Sequence, residues 1–136
     1  MLKIIIFGTA IILLCLAGLG IYKITKPHRS VAGAETAATI TAEKLYMEFA
    51  QAEDKANAKW VGKVIEVSGL ISAVSEAENY ISISLATSGQ GGINCSFSRK
   101  ELGAADKFKK GDTITIKGKC TGFLMDVNLV DCITLK

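Results

Sequence analysis

The sequence predicts an all-β domain with minor helices, arranged as a five-stranded barrel behind an amphipathic helix and an N-terminal membrane helix. Three patterns support this prediction: residues 4–21 carry no charge, a helical apolar period begins after Thr41, and a period of two begins after Lys63. The chain therefore divides into a membrane anchor or uncleaved signal (1–26), a flexible linker (27–40) and a folded domain with its own N-terminal helix (41–136).

Residues 4–21 have the length and composition of a transmembrane helix. As a helix this stretch would be about 27 Å long, close to the hydrocarbon thickness of a bilayer. We therefore expect a single-pass protein that contacts the lipid bilayer through residues 4–21. A cleaved signal peptide is the alternative, with Gly18 and Gly20 as weak processing signals. Lipid attachment at Cys15 is less favoured, because large aliphatic residues rather than a small one precede it.

The orientation of the membrane helix is indicated only by its flanks. Basic residues after the apolar stretch slightly outnumber the positive charges before it, which favours a cytoplasmic domain. The N-terminal stub is very short, however, and anchors of this kind usually export the chain that follows. We therefore expect a domain on the periplasmic or extracytoplasmic side of the cell membrane.

The folded domain is preceded by a tether and opens with a helix. Residues 27–40 are rich in Ala, Thr and Ser, contain the only proline and show no apolar period, as expected of a flexible linker. Thr41 is suited to be an N-cap, and Leu45, Phe49 and Ala52 then recur at helical spacing. This pattern predicts an amphipathic helix.

Five strands are predicted from Lys63 onward, because apolar residues occupy every second position. The predicted core faces are Ile65, Val67, Gly69, Ile71 and Ala73 in the first strand; Ile81, Ile83 and Leu85 in the second; Ile93, Cys95 and Phe97 in the third; Ile114, Ile116 and Cys120 in the fourth; and Val127, Leu129, Ile133 and Leu135 in the fifth. Gly69 marks a bend of the kind that a small barrel needs.

A short helix separates the third and fourth strands. Ser98 and Glu101 form the S-x-x-E capping box of a helix start, and the helix should end near Phe108. The resulting order, β-β-β-α-β-β, matches the oligonucleotide/oligosaccharide-binding (OB) barrel. An SH3-like barrel lacks this helix, and a ferredoxin-like fold needs two helices at other points.

Charge and residue types argue against catalysis and against strong nonspecific binding of nucleic acid. The net charge of +3 comes from the first 35 residues, and the remainder has twelve basic and twelve acidic residues. The only histidine, His28, precedes the domain, which excludes nucleophile–histidine pairs and zinc sites of the usual spacing. The carboxylate pairs Asp126 with Asp131 and Glu76 with Glu78 are more typical of turns and surfaces. We expect no enzyme activity, no catalytic residue, no metal and no cofactor.

The cysteines allow one disulfide. If the last hairpin turns near Met125, Cys120 and Cys132 fall close to opposite each other on paired strands. Cys132 lies on the outward parity of its strand, so a bridge would need a bulge or a register shift. The alternative is that Cys95, Cys120 and Cys132 are small buried hydrophobic residues.

Candidate ligand contacts are predicted on and around the outward face of the first three predicted strands. They are Tyr80, Arg99, Lys117 and Lys119, an aromatic ring and three cations of the kind that OB barrels use for single strands. The other outward residues, Ser82, Ser84, Asn94 and Ser96, are small and polar. Trp60 and Phe123 could also stack a ligand, but core packing is the better interpretation of each.

The stretch from Thr41 to Ile133 resembles the tRNA_anti-like domains of bacterial proteins. The resemblance lies in TAEKLYMEF (41–49), ANAKWVGKVIEVSG (56–69), FKKGDTITIKGKCTG (108–122) and DVNLVDC (126–132), of which the last two are the most specific. It implies an OB fold and, by fold analogy alone, a nucleic-acid ligand. Together these patterns predict a membrane-tethered, non-catalytic OB binding module. Single-stranded nucleic acid is the ligand that the fold analogy implies, although the neutral charge of the domain does not favour it. The alternative is an exported envelope module with a protein or glycan partner.

Overall fold

A computed structural model describes residues 31–103 and 105–135, together with Gly8. Apart from Gly8, the predicted membrane segment at 4–21 lies outside the described residues, as does the start of the predicted linker, 27–30. None of the helices described is both long and apolar enough to cross a membrane.

The described chain contains six strands and three short helices. In chain order they are β1 (Ala38–Thr41), α1 (Ala42–Gln51), α2 (Glu53–Trp60), β2 (Val64–Glu76), β3 (Tyr80–Leu85), β4 (Ile93–Ser98), α3 (Arg99–Leu102), β5 (Thr113–Leu124) and β6 (Asp126–Leu135). Two 3-10 turns, Val31–Gly33 and Ala105–Lys107, precede β1 and follow α3.

Strands β2 to β6 close into a barrel. Neighbours follow the order β2-β3-β4-β6-β5, and β5 pairs with β2 to complete the ring. The β4–β6 pair is parallel and the other barrel pairs are antiparallel. The long strand β2 makes closure possible, because Val64–Leu70 pairs with β5 and Ile71–Glu76 pairs with β3. With α3 between β4 and β5, this is the OB barrel that the sequence predicted.

Most of the predicted inward positions form the core. Fully or nearly fully buried are Ile65, Val67, Ile71, Ile81, Ile83, Leu85, Ile93, Cys95, Phe97, Ile116, Cys120, Val127 and Leu129. Each strand therefore places its apolar parity inside, where burial of a large aliphatic side chain is worth about 1.5–3 kcal/mol.

Two bulges change the inward face where a strict period of two was expected. In β2 the register shifts between Ile71 and Ala73, so that Ala73 is exposed and Val74 packs against the core. In β6 Asp131 takes a left-handed conformation with φ 53°, which buries Cys132 and leaves Ile133 only partly buried. The predictions for Ala73 and Ile133 are wrong because one extra residue in a strand inverts the parity beyond it.

Two helices begin at the N-cap residues that the sequence predicted. The Lys44 amide donates to the Thr41 hydroxyl at 3.3 Å, which confirms the N-cap of α1. Leu45 and Phe49 of α1 are buried against the core. At α3 the Glu101 amide donates to the Ser98 hydroxyl at 3.3 Å, but the helix ends at Leu102, well before Phe108.

The segment from Val31 to Thr41 packs on the barrel, which differs from the flexible linker expected at 27–40. β1 runs parallel to β2 outside the ring, and Val31 is only 3% exposed. The Glu66 carboxylate accepts hydrogen bonds from Thr36 at 2.8 Å and Thr39 at 3.2 Å. The Ala- and Thr-rich composition that suggested a tether instead supplies small side chains and hydroxyl donors that suit a surface strand.

Candidate ligand-binding face

The outer surface of β3 and β4 is a polar, uncharged face with one aromatic residue at its end. Register pairs place Ser82 beside Ser96 and Ser84 beside Asn94, and Tyr80 lies opposite Ser98. The inward positions of both strands are all apolar, so the same alternation leaves small polar side chains on the outside. We call this surface, which extends from the pair Tyr80 and Ser98 to the pair Ser84 and Asn94, the β3–β4 face.

Side-chain hydrogen bonds connect the β3–β4 face to the next strand of the barrel. The Ser82 hydroxyl donates to Oδ1 of Asn94, and Nδ2 of Asn94 donates to Oδ1 of Asn128 on β6 at 3.4 Å. Nδ2 of Asn128 in turn donates to the Asp126 carbonyl oxygen at 3.1 Å. The chain of bonds fixes the amide orientations, so the face offers ordered donors and acceptors without a charge.

A shallow depression of about 420 Å³ lies at the Tyr80 end of this face. Its lining comprises Ser75, Glu76, Ala77, Tyr80, Ser82, Asn94 and Ser96. The Tyr80 side chain is 52% exposed, which leaves its ring able to stack against a flat partner. The depression thus combines one aromatic wall with a polar floor.

Arg99 stands at the rim of the depression. Its Nη2 donates to the Glu76 carboxylate and, at 3.1 Å, to the Ala77 carbonyl oxygen. The side chains of this ion pair are 47% and 45% exposed, so water screens it and a ligand anion can compete with Glu76 for the guanidinium. The Arg99 amide also donates to the Asn79 carbonyl at 3.3 Å, which holds Arg99 beside the β2–β3 turn and Tyr80.

The other two predicted contacts, Lys117 and Lys119, do not join Tyr80 and Arg99. Lys117 is 8% exposed, and its Nζ donates to the Ala34 carbonyl oxygen at 2.6 Å beneath the N-terminal segment. Lys119 is exposed, but it pairs with Val64 at the start of β2. Because Tyr80 follows the far end of β2, about 40 Å of strand separates the two places. The structure therefore does not bring these two lysines to Tyr80 and Arg99. Lys117 is covered by the segment around Ala34, which has no apolar period from which its packing could be predicted.

The other two aromatic candidates, Trp60 and Phe123, pack against the hydrophobic core. The Phe123 ring stacks on Phe49 with centroids 5.7 Å apart and meets the edge of Tyr46 at 5.9 Å. Trp60 is 5% exposed, and its indole N–H donates to Glu48 at 2.7 Å. The packing interpretation of Trp60 and Phe123 is therefore confirmed.

The glycine-rich turn between β3 and β4 is held in place by acceptors on neighbouring elements. The Ser88 amide and hydroxyl both donate to the Glu43 carboxylate, and these hydrogen bonds lower the pKa of Glu43. The Gly91 amide donates to the Tyr46 hydroxyl at 3.1 Å, and the Gly92 amide donates to Asp126 at 2.7 Å. These amides are already used within the protein, which argues against a phosphate cradle at this turn. Sequence reasoning missed this role of Glu43, since a surface carboxylate early in a helix carries no specific signal.

Three of the four candidate carboxylates have structural roles. Asp126 accepts from the glycine-rich turn, Glu76 pairs with Arg99, and Asp131 occupies the β6 bulge. Among residues 31–103 and 105–135, no three histidine, cysteine, aspartate or glutamate side chains are grouped closely enough to hold a metal ion.

The three cysteines of the barrel are buried free thiols in this structure, the second of the two states that the sequence allowed for Cys120 and Cys132. Cys120 pairs with Leu129, and Cys132, which follows the β6 bulge, is buried in the core. A hydrogen bond with the Cys132 thiol, together with burial, raises the pKa of Cys95 well above its usual range. Burial also raises the pKa of Cys120.

The chain is similar to several solved structures. A Klebsiella pneumoniae protein ascribed to the nucleic acid-binding lipoproteins superposes with a TM-score of 0.60 at 15% identity, over 82% of this chain and 100% of that chain. One chain of the S. pombe Stn1–Ten1 complex matches 54% of this chain and 58% of its own length at 18% identity, with a TM-score of 0.44. Asparaginyl-tRNA synthetase from Pyrococcus horikoshii matches 57% of this chain and 19% of its own length at 13% identity, with a TM-score of 0.44.

The family comparison covers nearly the whole sequence. No curated protein matches the chain. A family model does match it over residues 1–133, and the chain therefore belongs to the tRNA_anti-like family of OB-fold proteins.

Proposed function

We propose that this protein is a non-catalytic binding module that holds single-stranded nucleic acid on the β3–β4 face. The observation that carries the proposal is the half-exposed Tyr80 ring beside Arg99 at the rim of a polar depression. A base would stack on Tyr80, an adjacent phosphate would take the Arg99 guanidinium, and the serine and asparagine side chains would contact base or sugar edges.

Two further observations support nucleic acid as the ligand class. Membership of the tRNA_anti-like family and the likeness to a protein ascribed to the nucleic acid-binding lipoproteins both point to the same chemistry. The balanced charge of residues 36–136 limits the strength of the interaction. With one or two phosphates neutralised, the logarithm of the binding constant should fall with the logarithm of salt concentration with a slope of only about −0.7 to −1.4.

The test is fluorescence anisotropy of a labelled single-stranded oligonucleotide titrated with the full-length chain in detergent at several salt concentrations. Tyr80→Ala should weaken binding by about 5- to 100-fold, because stacking contributes about 1–3 kcal/mol per base. Arg99→Ala should weaken binding and reduce the salt slope by about one. Lys119→Ala is the matched control, because it removes an exposed cation far from Tyr80. Equal losses in the Arg99 and Lys119 variants, or no binding by the unaltered chain, would contradict the proposal.

A neutral glycan is the second candidate, favoured by the uncharged serine and asparagine network of the β3–β4 face. A sugar ring would stack on Tyr80 in the same way, but its affinity would not depend on salt. In the same experiment with a labelled neutral oligosaccharide, Tyr80→Ala should abolish binding while Arg99→Ala should leave the salt dependence unchanged. This result, with no oligonucleotide binding, would replace the nucleic acid with a glycan.

We further propose that residues 4–21 anchor the module in the cell membrane with the barrel outside the cytoplasm. The uninterrupted apolar stretch supports the anchor. The likeness to a protein ascribed to the lipoproteins is in keeping with an envelope location.

A further inference from the structure

Two large apolar side chains lie in solvent at the turn between β5 and β6. Leu124 is 84% exposed and Met125 is 79% exposed, whereas the preceding Phe123 stacks on Phe49. Among the residues that the structure describes, every other large apolar side chain is at most 52% exposed. We call Leu124 and Met125 the β5–β6 tip.

The backbone of the β5–β6 tip is held in place by the glycine-rich turn. Leu124 pairs directly with Asp126, and Met125 between them has a left-handed conformation with φ 65°. This conformation favours glycine or asparagine and is uncommon for a long side chain. A Cβ at Gly91 would be only 2.0 Å from the Met125 carbonyl oxygen, and the Gly92 amide donates to Asp126 at 2.7 Å. The tip therefore presents its two apolar side chains from a fixed position.

The β5–β6 tip lies at the end of the barrel opposite Tyr80. Ile93 pairs with Val127, which places the start of β6 beside the start of β4. Tyr80 pairs with Ser98 at the other end of β4, about 17 Å away along the strand. A surface that covers the tip would therefore leave the β3–β4 depression open.

The small size of the β5–β6 tip favours a lipid surface over a protein partner. A stable protein interface covers about 800 Å² on each partner, which is far more than two side chains supply. A bilayer requires no complementary shape, and leucine and methionine side chains gain free energy when they leave water for the acyl region.

The chain also keeps the barrel close to a bilayer if residues 4–21 are its anchor. Val31 is packed on the barrel, so that only residues 22–30 separate the fold from the residue after the apolar stretch. Attachment through the anchor makes any second contact with the same bilayer intramolecular, and a weak contact is then well populated.

We propose that the β5–β6 tip inserts into the surface of the membrane that holds the anchor. Leu124 and Met125 enter the boundary between head groups and acyl chains, which gives the barrel a second point of attachment to one bilayer. The inference rests on the proposed anchor at 4–21 and adds a contact that the anchor alone does not require.

The experiment uses the full-length chain in liposomes, with Cys15→Ser and an NBD fluorophore on Met125→Cys. The three barrel cysteines are buried and do not compete for the label. The control carries the label on Asn79→Cys, at an exposed position of the β2–β3 turn. The label at 125 should show a blue-shifted emission and quenching by nitroxide-labelled lipids, and the label at 79 should show neither. Adding Leu124→Ser to the Met125→Cys chain should reduce the quenching and leave Tm unchanged, because the leucine side chain is exposed.

Flotation of the liposomes on a density gradient tests the anchor separately. If the chain does not float with the liposomes, the anchor and the tip contact are both wrong. If it floats but the labels at 125 and 79 respond alike, the tip contact is wrong and the anchor stands. A blue shift at 125 that grows with the ratio of protein to lipid, without quenching by nitroxide lipids, would mean that the tip contacts a second copy of the chain and would overturn the proposal.

Discussion

At the scale of single residues, the structure separates side chains that resemble each other in the sequence. Tyr80 and Phe123 are both aromatic residues at strand ends, yet Tyr80 is half exposed whereas Phe123 stacks on Phe49. Arg99 and Lys117 are both cations, yet Arg99 lies at the rim of the depression whereas Lys117 is buried and donates to the Ala34 carbonyl oxygen. The sequence could place Tyr80 near Arg99, because Tyr80 begins β3 and Arg99 directly follows Ser98, the N-cap residue that ends the paired strand β4. It could not place Lys117, because the element that covers it has no apolar period.

The contact between Glu43 and Ser88 gives a prediction about pH. Because hydrogen bonds lower the folded-state pKa of Glu43, their contribution is present above the unfolded pKa and is lost as pH falls through the folded pKa. At neutral pH, Glu43→Gln should therefore increase amide hydrogen exchange in the β3–β4 turn, and the difference from unaltered protein should disappear in acid. Exchange of the peptide covering residues 86–92 measures this effect.

The control for this prediction is Glu53→Gln, at the exposed start of α2. It removes a carboxylate from a helix N-terminus but does not touch the turn. Equal exchange in the Glu43 and Glu53 variants at neutral pH would mean that the Glu43 contact does not hold the turn.

At the scale of elements, regular periods were predictable and the departures from them were not. Ile81, Ile83 and Leu85 follow from alternation alone, and all three are buried. The bulges after Ile71 and at Asp131 arise from barrel closure, which the local sequence does not encode as a pattern. β1 was missed for a related reason, since Ile40 is the only large apolar residue among its four residues and a single apolar position shows no period.

Docking of the N-terminal segment can be tested with two valines. Val31 is 3% exposed and Val61 is 41% exposed. Val31→Ala should lower the free energy of unfolding by about 1–2 kcal/mol, because it removes buried methyl groups, whereas Val61→Ala should change it by less than about 0.5 kcal/mol. Urea unfolding followed by Trp60 fluorescence measures both values. If the two variants are equally stable, the segment before β1 is not part of the cooperative unit.

At the scale of the whole molecule, the barrel and its order of elements were predictable because five strands and two caps all indicated one topology. The candidate site was only half predictable, since residues distant in sequence had to be placed around a closed surface. Tyr80 and Arg99 both lie at the β2–β3 turn, whereas Lys119 pairs with Val64 at the opposite end of β2.

The position of the barrel relative to the membrane remains a prediction from residues 4–21. A C-terminal reporter that is active only outside the cytoplasm should be active when fused to the full chain. Moving the excess positive charge, by Lys23→Gln and Lys26→Gln with added lysines before residue 4, should increase the exported fraction further. An inactive reporter on a stable fusion protein would place the barrel in the cytoplasm.

Packing of Val31–Thr41 on the barrel also sets the reach of the module. With this segment docked, only residues 22–30 remain between the predicted anchor and the fold. Nine residues span at most about 30 Å when fully extended. Ala37, within the docked segment, is hydrogen-bonded to Val64 at the start of β2, while Tyr80 follows the other end of that strand. The protein would then work close to its bilayer, with the β3–β4 depression directed away from the lipid. A ligand would then approach the barrel from the aqueous side that faces away from the bilayer.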